Sequence, residues 1–114
     1  MTRLTAEELR RLMEERDDLT VINVLPEDSF NEAHIPDSIS IPFNEDGFAE
    51  RVREEVGDTF AKVVVYCANE SCDASPKAGS ALEEAGFQNV YDFEGGVEAW
   101  DEQGYDLGKS KGRD

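Results

Sequence analysis

The sequence predicts an α/β domain: a central parallel sheet of about four to five strands with helices on both faces. Three observations carry this. Short β-branched apolar runs alternate with segments of helical periodicity, and no two runs are joined by a hairpin signal, so neighbouring strands are linked by crossovers and lie parallel. The most apolar run, Lys62-Val63-Val64-Val65-Tyr66, reads as a fully buried strand that delivers Cys67 at its carboxyl end. After a polar connection comes Ser75-Pro76, the pattern of an N-cap residue followed by proline at the first helical position. At 114 residues the chain is expected to form one domain over residues 1–107, followed by a mobile basic tail at 108–114.

The elements follow in order. Thr5 and Glu8 have capping-box spacing, Leu4 and Leu9 fit a hydrophobic staple, and Leu9, Leu12 and Met13 share a face, which predicts a helix over about 6–16. Leu19 to Leu25 reads as a buried strand closed by Pro26, and a short helix is expected from Glu27 to about Ala33. It must stop near His34-Ile35-Pro36, because the residue before proline is driven out of the helical region. Ser38 to Ile41 alternates as a short strand. Phe48, Val52 and Val56 recur at helical spacing over 46–56, with Gly57 as the cap. Beyond the cysteine loop a helix is predicted over 76–85, with Ala78, Leu82 and Ala85 inward and a Schellman ending at Gly86-Phe87. Asn89 to Phe93 is the last strand, Gly95-Gly96 a turn, and 97–103 a helix on which Val97 and Trp100 share a face and serve the core.

Charge excludes several partners. The 27 acidic against 11 basic residues give a net charge of −16, which repels nucleic acid and anionic membranes. The 39% hydrophobic content argues against disorder, so the acidity is expected to coat a folded surface, as in proteins adapted to high salt. Met1-Thr2-Arg3-Leu4-Thr5 leads directly into a charged segment with no apolar run, and a cytoplasmic location is expected. Cys67 and Cys72 are too few for a disulfide framework, and with one distant histidine they do not make a structural zinc site. No metal or other cofactor is implied. Thiol chemistry remains, and a thiol between a strand end and a helix N-terminus is biased toward its thiolate.

These signals together resemble a single-domain rhodanese. Val21-Ile22-Asn23-Val24 resembles the family's first strand, and His34-Ile35-Pro36-Asp37-Ser38 its His-Ile-Pro-Gly-Ala segment. Val64-Val65-Tyr66-Cys67 resembles the strand bearing the nucleophile. Gly86-Phe87-Gln88-Asn89-Val90-Tyr91 through Gly95-Gly96-Val97-Glu98-Ala99-Trp100 resembles the C-terminal signature. Four such stretches in order, over about residues 4–106, specify a rhodanese-like three-layer domain.

The resemblance implies a sulfurtransferase in which Cys67 takes sulfane sulfur from a donor such as thiosulfate and passes it to a thiophilic acceptor; a sulfur-carrier protein, or a basic protein attracted by the acidic surface, is a further expected partner. Backbone N–H groups of Ala68, Asn69, Glu70, Ser71, Cys72 and Asp73 are the expected anion cradle. The loop departs from the family pattern: it is longer than common short rhodanese loops, lacks their arginine, and carries Glu70 and Asp73. Lys77 is the only cation from Tyr66 to Asp106, against ten carboxylates. The related phosphatases need a Cys-x5-Arg loop, and Asp73 stands where the arginine would. Cys72 is expected to be a loop filler, with a resolving thiol or a reversible disulfide as alternatives. His34 is expected to serve structure rather than act as a base. Two other functions stay open: a rhodanese-like binding or regulatory module, favoured by Asn23 and Leu25 where active relatives often carry Asp and Arg, and a Cys67/Cys72 dithiol relay.

Overall fold

A strand with apolar side chains at successive positions needs cover on both faces. Val63, Val64 and Val65 receive it within a five-stranded parallel sheet. The computed structural model describes residues 1–15, 19–43 and 47–108. Its elements run β1 (Thr2–Arg3), α1 (Ala6–Glu15), β2 (Leu19–Asn23), α2 (Glu27–Glu32), β3 (Ile39–Ser40), α3 (Phe48–Val56), β4 (Lys62–Tyr66), α4 (Ala74–Glu84), β5 (Asn89–Phe93) and α5 (Gly96–Glu102). The spatial order is β1-β5-β4-β2-β3. Every pairing is parallel, as the lack of hairpin signals requires.

Register fixes the edge where chemistry can occur. β4 pairs with β2 from Leu19↔Lys62 to Asn23↔Tyr66, and with β5 from Lys62↔Asn89 to Tyr66↔Phe93. Asn23, Tyr66 and Phe93 therefore end their strands side by side, and Cys67 is the next residue after that row. Alternation sorts the core into two layers. Ile22, Val63, Val65 and Val90 pack with Phe48 and Val52 of α3 and Ala78 and Leu82 of α4. Val21, Val64, Tyr66 and Phe93 pack on the opposite face with Ala6 and Leu9 of α1 and Trp100 of α5.

Local signals set several boundaries as expected. The Thr5 N–H donates to Glu8 Oε1 at 2.9 Å and the Glu8 N–H to Thr5 Oγ1 at 3.1 Å, closing the capping box. At the end of α4 the Phe87 N–H reaches the Leu82 carbonyl and the Gly86 N–H the Glu83 carbonyl, both at 3.1 Å, which is the Schellman pattern. The expected helix ends at residues 16 and 46 lie outside the described residues.

Three features differ from expectation. β1 was not foreseen, because two exposed residues carry no periodic signal; it pairs with Tyr91 and Asp92 of β5. β2 stops at Asn23, although the Val24 N–H still donates to the Tyr66 carbonyl at 3.0 Å. α4 begins at Ala74 rather than Pro76, so Ser75 lies inside the first turn instead of capping it. Proline fits there because N–H groups of a helix's first turn have no intrahelical partner. At the other end of the chain, Gly108, grouped with the tail on sequence, pairs antiparallel with His34.

Candidate functional site: the Cys67 loop

The loop begins where β4 runs out of partners. Cys67 is fully buried behind Tyr66, and Ala68 to Asp73 lead to α4. Asn69 folds this stretch back. Its Oδ1 accepts the Ser71 N–H at 3.0 Å and its carbonyl accepts the Cys72 N–H at 3.1 Å, a side-chain turn superposed on a backbone turn. The turn returns Cys72 to within 6.4 Å of Cys67, Cα to Cα, and the two sulfurs are joined in a disulfide. Cys72 is therefore not the inert filler expected from sequence; it is bonded to the candidate nucleophile.

Two helices fix the loop's ends. From α5, the Val97 N–H donates to the Cys67 carbonyl at 3.0 Å and the Glu98 N–H to the Ala68 carbonyl at 2.9 Å. This approach depends on Gly96, whose φ is +62° and where any Cβ would overlap the Cys67 carbonyl oxygen. At α4, Asp73 is the N-cap residue but makes no side-chain cap. The Ser75 hydroxyl instead donates to the buried Asp92 carboxylate on β5 at 2.9 Å. Burial pushes the Asp92 carboxyl above its ordinary range, against the opposing effect of that hydrogen bond.

Of the six cradle residues, Ser71 and Cys72 have their N–H groups engaged by Asn69. Those of Ala68, Asn69, Glu70 and Asp73 donate to no acceptor among the described residues. Lys77, the only cation between Tyr66 and Asp106, reaches Asp73 at 3.4 Å, and both side chains are exposed. Beside the loop lies an open groove of about 410 Å³ to which Asn69, Glu70, Ser71, Glu98 and Glu102 contribute. It continues past Glu94 to Arg3, a residue the sequence did not point to because β1 was unrecognised. Arg3 is itself 3.3 Å from Glu94. The charged residues of the groove's lining are thus mainly carboxylates, and Cys67 is not part of it.

Two other singled-out residues have structural tasks. His34 stacks on Phe30 at 4.0 Å, its Nδ1 bonds the Phe30 carbonyl at 2.9 Å, and its main chain pairs with Gly108. Trp100 packs edge-on to Phe93 and donates its indole N–H to the Asp106 carbonyl at 2.8 Å. Tyr66 was not singled out by its own signal. Its buried hydroxyl accepts the Ile35 N–H at 3.0 Å and meets Ser38 Oγ at 2.7 Å, fastening the His34–Ser38 segment to the strand that carries Cys67. Burial raises its pKa, so it is a fixed hydrogen-bonding post at neutral pH.

Comparison with known proteins agrees with this architecture. The model of the rhodanese-like domain matches residues 5–103. An HTH-type transcriptional regulator of Mycobacterium tuberculosis is 34% identical over 95 residues, which are 83% of this chain and 39% of that protein. A thiosulfate sulfurtransferase from Pseudomonas aeruginosa superposes with a TM-score of 0.86 at 27% identity, covering 97% of this chain and 21% of that one. The polysulfide-sulfur transferase homodimer of Wolinella succinogenes shares the fold, with a TM-score of 0.75 at 24% identity over 99% of this chain and 82% of its own. The chain thus spans only a minor part of the first two relatives. With the family model matched across nearly the whole sheet and its flanking helices, the chain belongs to the rhodanese-like domain family.

Proposed function

We propose that the protein, once its disulfide is reduced, is a rhodanese-type sulfurtransferase. The Cys67 thiolate attacks the sulfane sulfur of a donor such as thiosulfate, the donor's S–S bond breaks, and sulfite leaves with the bonding pair. The persulfide on Cys67 then passes its outer sulfur to a thiophilic acceptor, either a small molecule or a sulfur-carrier protein with a basic surface. One observation carries this reading: Cys67 stands at the carboxyl end of the central strand, where the loop to α4 leaves the N–H groups of Ala68, Asn69 and Glu70 without acceptors among the described residues. Such groups stabilise a sulfur anion without a general base. The reading places the protein in a reducing compartment such as the cytoplasm, where the thiols are kept free.

The Cys67–Cys72 disulfide favours a second reading, a dithiol relay that exchanges electrons with other thiols. Intact-mass measurement separates the two. Reduced, desalted protein incubated with thiosulfate is expected to gain one sulfur atom that cyanide removes, and Cys67→Ser is expected to gain none. Equal sulfur gain in Cys67→Ser would reassign the nucleophile; absence of both sulfur gain and hydrosulfide release in folded, reduced wild type would leave the relay.

A further inference from the structure

Building on the Cys67 persulfide proposed above, we infer that Cys72 gives this loop a second activity: it discharges the persulfide as hydrosulfide, making the protein a dithiol-dependent reductase of sulfane sulfur. The structure already holds the product of that step. Cys72 is bonded to the Sγ of Cys67, the inner sulfur of the persulfide, so the attacking sulfur has access to that atom within the folded loop. The Asn69 turn keeps it there, and an intramolecular thiol so positioned competes with external thiols at a high effective concentration.

The chemistry balances. The Cys72 thiolate attacks Cys67 Sγ, the Cys67–Cys72 bond forms, and the Sγ–S bond breaks. The outer sulfur departs with the electron pair and takes the proton given up by the Cys72 thiol, leaving as hydrosulfide. The sulfane sulfur is reduced by two electrons and the two cysteines are oxidised to the disulfide. A dithiol then reduces the disulfide by exchange, itself becoming a cyclic disulfide, and restores both thiols. Over one cycle, thiosulfate and a dithiol give sulfite, hydrosulfide and the oxidised dithiol. Glu70, Glu98 and Glu102 line the open groove beside the loop, so the approach to it is anionic. The same charges oppose the approach of anionic acceptors, leaving the internal thiol as the most available one.

The test is a single turnover without added thiol. Reduced, desalted wild type is loaded with thiosulfate, freed of donor, and followed by intact mass and by trapping hydrosulfide with a bimane reagent. The expected result is release of one hydrosulfide per loaded chain, with the chain ending two hydrogens lighter than its reduced form. In Cys72→Ser and Cys72→Ala, the loaded fraction is measured first and decay is normalised to it. Their persulfide is expected to persist at least tenfold longer and release no hydrosulfide. A wild-type persulfide as long-lived as the variants', or sulfur found transferred intact to Cys72 by fragment mass, would overturn the inference while leaving the sulfurtransferase reading in place. Failure of the Cys72 variants to load, with no hydrosulfide released by wild type, would overturn both.

Discussion

The Ser75 hydroxyl donates to the Asp92 carboxylate at 2.9 Å, and both side chains are buried. Ser75 lies in the first turn of α4 and Asp92 on β5, so this bond ties the exit of the cysteine loop to the strand beside it. The second carboxylate oxygen of Asp92 has no partner among the described residues. Taking a carboxylate out of water is costly, and that burial pushes the Asp92 carboxyl above its ordinary range despite the Ser75 hydrogen bond.

The pH dependence of stability follows from that shift. A carboxyl whose folded pKa exceeds its unfolded value contributes stability that is full at pH below the unfolded pKa and is lost as pH rises through the folded one. Asn at this position can still accept the Ser75 hydroxyl but does not titrate. Asp92→Asn is therefore expected to gain stability relative to wild type as pH is raised from about 4 toward neutrality. Urea midpoints for both proteins over that range, in one high-salt buffer, check it; a pH-independent difference would show that Asp92 is not shifted. Ser75→Ala removes the carboxylate's donor and is expected to cost about 1.5–3 kcal/mol at neutral pH.

A second prediction concerns Asp37, which has φ +71° in the turn closed by the Ser38 N–H on the Ile35 carbonyl at 3.1 Å. Pro36 in the second position and a positive φ in the third describe a type II turn, which favours glycine. This is the position where the family segment His-Ile-Pro-Gly-Ala, stated above, has its glycine. Asp37→Gly is expected to be more stable than Asp37→Ala by about 1 kcal/mol, with wild type between them. Thermal unfolding of the three ranks them, and Ala as the most stable would refute the strain.

How much of this was legible follows a physical division. Features set within a few residues were readable: the Thr5–Glu8 box, the Gly86-Phe87 ending, and the strand that stops at Cys67. Features decided by partners distant in sequence were not. Ser75-Pro76 has the form of a helix cap, yet the hydroxyl goes to Asp92, brought alongside only by the parallel pairing of β4 and β5. β1 is defined by Tyr91 and Asp92 rather than by its own residues, and so Arg3 in the groove went unseen. Sequence spacing allowed Cys67 and Cys72 to meet, but the 6.4 Å between their Cα atoms depends on the Asn69 turn.

The contact of α5 with the loop gives a third prediction. Gly96 and Gly86 both have positive φ, but a Cβ at Gly86 meets nothing within 4 Å, whereas one at Gly96 overlaps the Cys67 carbonyl oxygen and comes within 2.8 Å of the Ala68 carbonyl carbon. Gly86→Ala should carry the backbone cost alone, about 1–2 kcal/mol. Gly96→Ala should cost at least about 1 kcal/mol more, because α5 must retreat and release its two hydrogen bonds to the loop. It should also slow persulfide formation under conditions where it remains folded. Denaturant titrations of the two variants, followed by thiosulfate loading, test both points; equal costs would mean the close packing is relieved without displacing the loop.

The last prediction concerns the field that a doubly charged donor must cross. Glu70, Glu98 and Glu102 line the groove at the loop, Glu94 and Arg3 pair with each other beyond it, and Lys77 is matched to Asp73. No cation beside the loop is left unpaired among the described residues to offset these carboxylates, and the chain as a whole carries −16. At an ionic strength near 0.01 M the Debye length is about 30 Å and the whole groove repels thiosulfate; near 1 M it is about 3 Å, and only charges at the loop itself are felt. Persulfide formation by the reduced protein should therefore accelerate several-fold between those limits. Glu70→Gln removes the loop carboxylate that lines the groove, so it should be faster than wild type at low salt and approach the wild-type rate at high salt. Stopped loading reactions read by intact mass measure the rate, with circular dichroism recorded at each salt to confine the comparison to folded protein. A rate that is flat or falls with salt, or a Glu70→Gln curve that coincides with wild type, would show that the groove's charge does not govern donor entry.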